Sequence, residues 1–157
     1  MTESWVWKSR RPRDEIVTGV WVGDHHEAVK LHRRKGWTVI DVREFDTEKN
    51  PPSVVSIPVL AGKRGAASLG ALCRIADAID EARKRGDQVL VHCWMGVERS
   101  PLSIVGWLVL REGYTFEEAY DLVKYRRAVA DRRKWLSKKA AVALGLTTGV
   151  PSATLVA

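Results

Sequence analysis

Apolar residues fall in two rhythms along the chain. Short apolar runs lie at Ile16 to Val22, Thr38 to Val42, Val54 to Ile57 and Gln88 to His92. Runs of that length, rich in β-branched residues and bounded by Gly, Pro or polar residues, predict strands. Between them the spacing becomes helical. Asp24 caps a predicted helix from about His25 to Lys35, stopped by Gly36. Ser68 opens a second, to about Arg85, with Leu69, Leu72, Cys73, Ala76 and Ile79 on one face and Gly86 at its end. A third runs from Ser100 to about Glu112 and stops at Gly113. Thr115-Phe116-Glu117-Glu118 is a capping box opening a fourth, to about Val129, and a last helix covers roughly Asp131 to Ala143. Residues 43 to 53, with Pro51-Pro52, and 58 to 66, with Gly62 and Gly65, are loops. Strands alternating with helices predict an α/β fold: a central, mostly parallel sheet flanked by helices on both faces. Gln88 to His92 is its central buried strand.

The chemistry concentrates where that strand ends. Residues 89 to 101 read Val-Leu-Val-His-Cys-Trp-Met-Gly-Val-Glu-Arg-Ser-Pro. Cys93 sits at the carboxyl end of the strand, and the loop after it runs into a helix N-terminus. Such a place suits an anion and a thiolate together. The thiolate is the reactive form of cysteine, and a helix N-terminus with nearby cations favours it. Backbone N–H groups entering a helix point at negative charge. Gly96 lets the backbone curl around an anion. Arg99 offers a planar fork for two phosphate oxygens. Ser100 reads as an N-cap whose hydroxyl also reaches the Cys93 sulfur. Pro101 fits the first helical turn.

His92-Cys93-Trp94-Met95-Gly96-Val97-Glu98-Arg99-Ser100 resembles the signature loop of the cysteine-dependent protein tyrosine and dual-specificity phosphatases. The likeness extends over about residues 15 to 137, through Glu15 to Gly23, Trp37 to Val42, Ser56 to Val59, Ser100 to Leu108 and the Tyr114 to Tyr125 helix. It implies a phosphatase domain over residues 15 to 145, a basic N-terminal arm over 1 to 14 that Trp5 and Trp7 can anchor, and a loose tail over 146 to 157. It implies the small dual-specificity-phosphatase-like fold and a phosphocysteine intermediate on Cys93. The loop amides of Trp94, Met95, Gly96, Val97, Glu98 and Arg99 and the Arg99 guanidinium would hold the phosphate. His92 would support the loop backbone without touching substrate, and Ser100 would help release the phosphocysteine. No metal and no cofactor is implied. His25-His26 and His32 read as helix-surface residues rather than metal ligands.

One departure concerns the general acid. Members of that family carry an Asp in the loop after the Ile-Pro pair. Here the loop is Ile57-Pro58-Val59-Leu60-Ala61-Gly62-Lys63-Arg64-Gly65, with no carboxylate. Three accounts stand open. Glu98, just before Arg99, donates the proton. Asp41 or Asp46 swings in. Or no acid is needed, as with a diphosphate leaving group. Lys63 and Arg64 occupy the loop bordering the site, where they would bind a second phosphate or an acidic flank. Trp94 would shape the rim.

Charge and composition narrow the class. The 157 residues suit one domain with a sizeable core. Two cysteines imply no disulfide framework; Cys73 reads as an inert core residue. No apolar run is long enough to span a membrane, and the N-terminus lacks the apolar core of a secretory signal, so a cytoplasmic monomer is expected. The net charge of +7, with a pI near 9.7, steers polyanionic or acidic partners. Phosphoprotein substrates carrying phosphotyrosine, and also phosphoserine or phosphothreonine, lead. An RNA 5′-phosphatase, a phosphoinositide phosphatase at an anionic lipid surface, and a phosphate-binding pseudophosphatase are the alternatives.

Overall fold

The computed structural model describes residues 11–44, 47–59, 67–132, 136–146 and 155–156. A five-stranded sheet forms its centre, in the order β1 (Arg13–Val17), β2 (Val20–Gly23), β5 (Gln88–His92), β3 (Trp37–Asp41), β4 (Val55–Ser56). β5 runs parallel to both β2 and β3, and β4 runs parallel to β3. Only β1 is antiparallel to its neighbour. The α/β architecture therefore stands as read.

β5 lies mid-sheet because it is apolar on both faces. Val89, Leu90 and Val91 are fully buried. Leu90 packs with Val39, Ala28 and Leu31 beneath α1 (His25–Leu31). Val89 and Val91 face the larger core under α2 (Leu69–Lys84), α3 (Arg99–Glu112), α4 (Phe116–Arg126) and α5 (Lys138–Ala143). Burying each such Val or Leu side chain stabilises the fold by about 1.5–3 kcal/mol. The caps read from sequence form: Asp24, Ser68 and Thr115 each accept a first-turn N–H, and Glu118 closes the capping box. Gly113 ends α3 at φ 79°.

Several expectations are corrected. The strand predicted over Ile16 to Val22 is a hairpin. Gly19 turns it at φ 83°, and the Glu15 carboxylate accepts the Gly19 N–H at 2.8 Å. β1 therefore starts at Arg13, inside the predicted arm, where the Arg13 guanidinium pairs with Glu27 and lies over the Trp21 and Trp37 rings. α1 stops at Leu31 instead of Lys35. The helix predicted from Asp131 begins only at Lys138, after the two-residue strand β6 (Leu136–Ser137). Leu155–Val156 form β7, parallel to β6. Trp5, Trp7, Asp46, Lys63 and Arg64 lie outside the described residues.

Candidate functional site

β5 delivers His92 and Cys93 to the carboxyl edge of the sheet. There the chain leaves the strand, turns through residues 94–98 and enters α3. Cys93 is buried, and its sulfur lies 3.2 Å from the Ser100 hydroxyl. Burial pushes the Cys93 thiol up. The Ser100 hydroxyl, the backbone N–H groups of Ser100 and Gly96 and the Arg99 charge outweigh it and hold the thiol below its ordinary value. These donors and the Arg99 charge favour the thiolate form of Cys93.

Ser100 is not the N-cap. Glu98 holds that position, with no side-chain capping bond, and Ser100 sits one turn-position inside α3, fully buried. The burial is what aims its hydroxyl at the sulfur. His92 does support the backbone as expected: its Nδ1 lies 3.1 Å from the Cys93 carbonyl. Burial is the main cause that lowers the His92 pKa to about 4, Arg43 and His25 adding to it against Asp41. The ring is therefore neutral at physiological pH, and a proton on Nδ1 makes that contact a hydrogen bond.

Two buried arginines bracket the loop, and neither was singled out from sequence. Arg127 follows α4 and has no exposed surface. Its Nε donates to the Gly96 carbonyl at 2.7 Å and its Nη2 to the Met95 carbonyl at 3.0 Å. Its Nη1 donates to the Arg11 carbonyl at 2.9 Å and to Asp14 at 2.8 Å. With the Met95 and Gly96 carbonyls bound to Arg127, the Gly96 N–H is left for the Cys93 sulfur. The same contact explains Gly96. It has φ 68°, and a Cβ there would meet Arg127 Nη2 at 2.6 Å and the Gly23 carbonyl oxygen at 2.7 Å.

Arg43 sits on the other side. It is 2 % exposed, donates to both Asp41 carboxylate oxygens and to Asn50, and lies 4.3 Å from the centre of the Trp94 ring. Asp41 is fully buried beneath it and accepts from Asn50 at 2.7 Å. Burial pushes the Asp41 carboxyl up, but the Arg43 bonds, His92 and Asn50 hold it below its ordinary value. Asp41 is thus a locked anion, which excludes it as an acid that swings in. His25 is corrected as well. It packs against His92 and edge-on to Trp94, ring centres 5.7 and 5.2 Å apart, rather than standing on a helix surface. Its backbone N–H donates to the Trp94 carbonyl at 3.0 Å.

Of the loop residues expected to hold phosphate, Gly96 reaches Cys93 through its backbone N–H and Arg99 through its charge. Trp94 is 41 % exposed at the rim, and Glu98 is half-buried. Cys73 is only partly buried on α2, on a face turned from the main core, so it is not the core residue expected. Among the described residues no group of three or more His, Cys, Asp or Glu is close enough to hold a metal ion.

A nucleophilic Cys in an N–H cradle at the strand–helix junction, with Arg on the first helical turn, defines a thiol-dependent phosphoryl site. The model of the dual specificity phosphatase catalytic domain matches residues 30–138, and the chain belongs to that family. It is 44% identical over 54 residues to dual specificity protein phosphatase 1 of Arabidopsis thaliana, covering 34% of this chain and 27% of that protein. It is 26% identical over 121 residues to dual specificity protein phosphatase MPK-4 of Drosophila melanogaster, covering 73% of this chain and 31% of that protein. The chain thus spans under a third of these relatives' length. The structure of the human tyrosine phosphatase-like serine/threonine/tyrosine-interacting protein superposes with a TM-score of 0.68 at 20% identity, over 86% of this chain and 95% of that one. That likeness shows a shared fold. Among the described residues no helix is long and apolar enough to cross a membrane.

Proposed function

We propose that this protein is a metal-independent phosphatase that hydrolyses phosphotyrosine on proteins, and phosphoserine or phosphothreonine as well, through a phosphocysteine. The observation that carries the reading is the Cys93 sulfur, held 3.2 Å from Ser100 and lowered in pKa by the loop N–H groups and Arg99. The Cys93 thiolate attacks phosphorus while the P–O bond to the substrate oxygen breaks. The amides of residues 94–99 and the Arg99 guanidinium take the charge of the three non-bridging oxygens. Glu98 gives its proton to the leaving oxygen. Water then attacks the phosphocysteine, Glu98 takes its proton, and the S–P bond breaks. The Ser100 hydroxyl stabilises the departing thiolate. Glu98 is favoured because it lies in the loop immediately before Arg99, while Asp41 is bound to Arg43 and residues 57 to 65 contain no carboxylate. The protein acts as a monomer in the cytoplasm, where a thiolate nucleophile stays reduced.

Hydrolysis of p-nitrophenyl phosphate in excess chelator tests this, with wild type beside Cys93→Ser. Activity that disappears in the variant is the expected result. Residual activity in Cys93→Ser would sink thiol catalysis. Absence of activity and of rapid-quench phosphocysteine in the wild type would make the chain a phosphate binder. For Glu98→Gln, turnover of poor leaving groups should fall by about 10²-fold, and turnover of p-nitrophenyl phosphate far less. Equal losses on both would remove Glu98 from the acid role.

A further inference from the structure

Beside the loop, on the Arg43 side, lies an open cleft of about 510 Å³. One wall is α1 and the residues just after it. The other is the 3-10 turn at Thr47–Lys49 and the segment through Val54. His92 and Trp94, the two chain neighbours of Cys93, close its end. The cleft therefore opens beside the loop that carries Cys93.

Its lining is unusual in charge. Arg33, Arg43, Lys49, His25 and His32 all contribute, and none of the described lining residues carries a carboxylate. Arg43 is occupied by Asp41. Arg33 and Lys49 stand exposed on the rim, and neither pairs with a carboxylate among the described residues. His25 Nδ1 is a buried side-chain atom without a hydrogen-bond partner. The floor between these groups is apolar, made by Ala28, Pro51 and Val54. A cationic rim over an apolar floor suits an anionic group on a hydrocarbon stem, as in a Glu or phosphoserine side chain, more than a fully polar inositol ring.

We propose that this cleft is a second anion subsite, holding an acidic or phosphorylated side chain that flanks the phosphorylated residue of a polypeptide substrate. The assignment rests on the phosphatase reading above. It adds a specificity determinant: Arg33 and Lys49 supply the charge, and Trp94 borders the subsite on the side of the catalytic loop. The attraction is electrostatic and solvent-exposed, so it weakens as salt rises.

The test uses the full chain and a panel of phosphotyrosine peptides with Ala, Glu or phosphoserine placed at each flanking position in turn. kcat/KM is measured on the wild type and on Arg33→Glu/Lys49→Glu. Peptide Kd is measured with Cys93→Ser present in both backgrounds. The expected result is a preference of about two- to fivefold for an anionic flank at one position, falling with salt. In the charge-reversed protein the anionic-to-Ala ratio drops to one or below, in kcat/KM and in Kd alike. Phosphoserine above Glu assigns the subsite to a second phosphoryl group, and equality assigns it to carboxylates. A ratio near one at every position, with the peptides still hydrolysed, overturns the subsite and leaves the phosphatase reading intact. Binding to vesicles containing phosphoinositide that depends on Arg33 and Lys49, with no flank effect, overturns it in favour of a membrane surface. A flank preference in Kd without any turnover keeps the anion site and defeats the phosphatase reading.

Discussion

Arg127 and Arg43 are both buried guanidiniums beside the same loop, yet they hold different things. Arg127 binds carbonyls of the loop itself, at Met95 and Gly96, and is balanced by Asp14. Arg43 is clamped to Asp41 and meets the loop only through the Trp94 ring. A cation on the backbone decides which way the amides point. A cation under a side chain decides the shape of the rim. Buried charge therefore serves two purposes here: the first bears on transition-state binding, the second on what may approach.

The largest effect should come from Arg127→Lys. A lysine keeps a charge for Asp14 but cannot fork to two carbonyls. Loop misplacement of this kind costs about 10²-fold in kcat, with KM for p-nitrophenyl phosphate changing less. Breaking the buried network also costs about 3 kcal/mol or more in denaturant unfolding. A kcat unchanged in Arg127→Lys would remove the distinction between the two arginines.

The acid side of stability sharpens the comparison from the Arg43 side. His92 has a folded pKa of about 4 against 6.5 when unfolded. Between those values the unfolded chain binds more protons, so stability rises with pH. It is fully present above 6.5 and is lost as pH falls to about 4, a contribution of at most about 3 kcal/mol. The depressed Asp41 carboxyl acts in the same direction at lower pH. Urea unfolding measured from neutral pH down to about 4 should show this slope, and His92→Asn should flatten it. A slope unaltered by that substitution would place the proton uptake elsewhere.

The smallest effect is expected from Arg43→Lys, which retains a partner for Asp41 but loses the flat contact with Trp94. The loss is about 1 kcal/mol, seen as a few-fold rise in KM for aryl phosphates with kcat nearly constant. A fall in kcat as deep as that of Arg127→Lys would show that Trp94 acts on the loop backbone too.

Much of this was legible along the chain. The carriers were local: a continuous apolar run for β5, caps at Asp24, Ser68 and Thr115, and a contiguous loop from His92 to Pro101. Local signals survive because a strand end, a tight loop and a helix start are decided by neighbouring residues. The hairpin at Gly19 was passed over because Thr18-Gly19 interrupts an apolar run too briefly to read as a turn. The helix expected from Asp131 failed because tertiary pairing of Leu136 and Ser137 with the tail outweighs a weak local propensity.

By itself the sequence determined the α/β class, pointed to Cys93 and Arg99 as nucleophile and phosphate fork, and placed no carboxylate between residues 57 and 65. Only the tertiary structure decided that Ser100 turns inward to the sulfur and that Asp41 is locked. It also placed Arg127 inside the molecule as a buried brace for the loop. The reason is range. Arg127 meets Gly96 across 31 positions and Asp14 across 113. Nothing in the spacing of either pair records a contact that exists only once α4, β1 and the loop pack together.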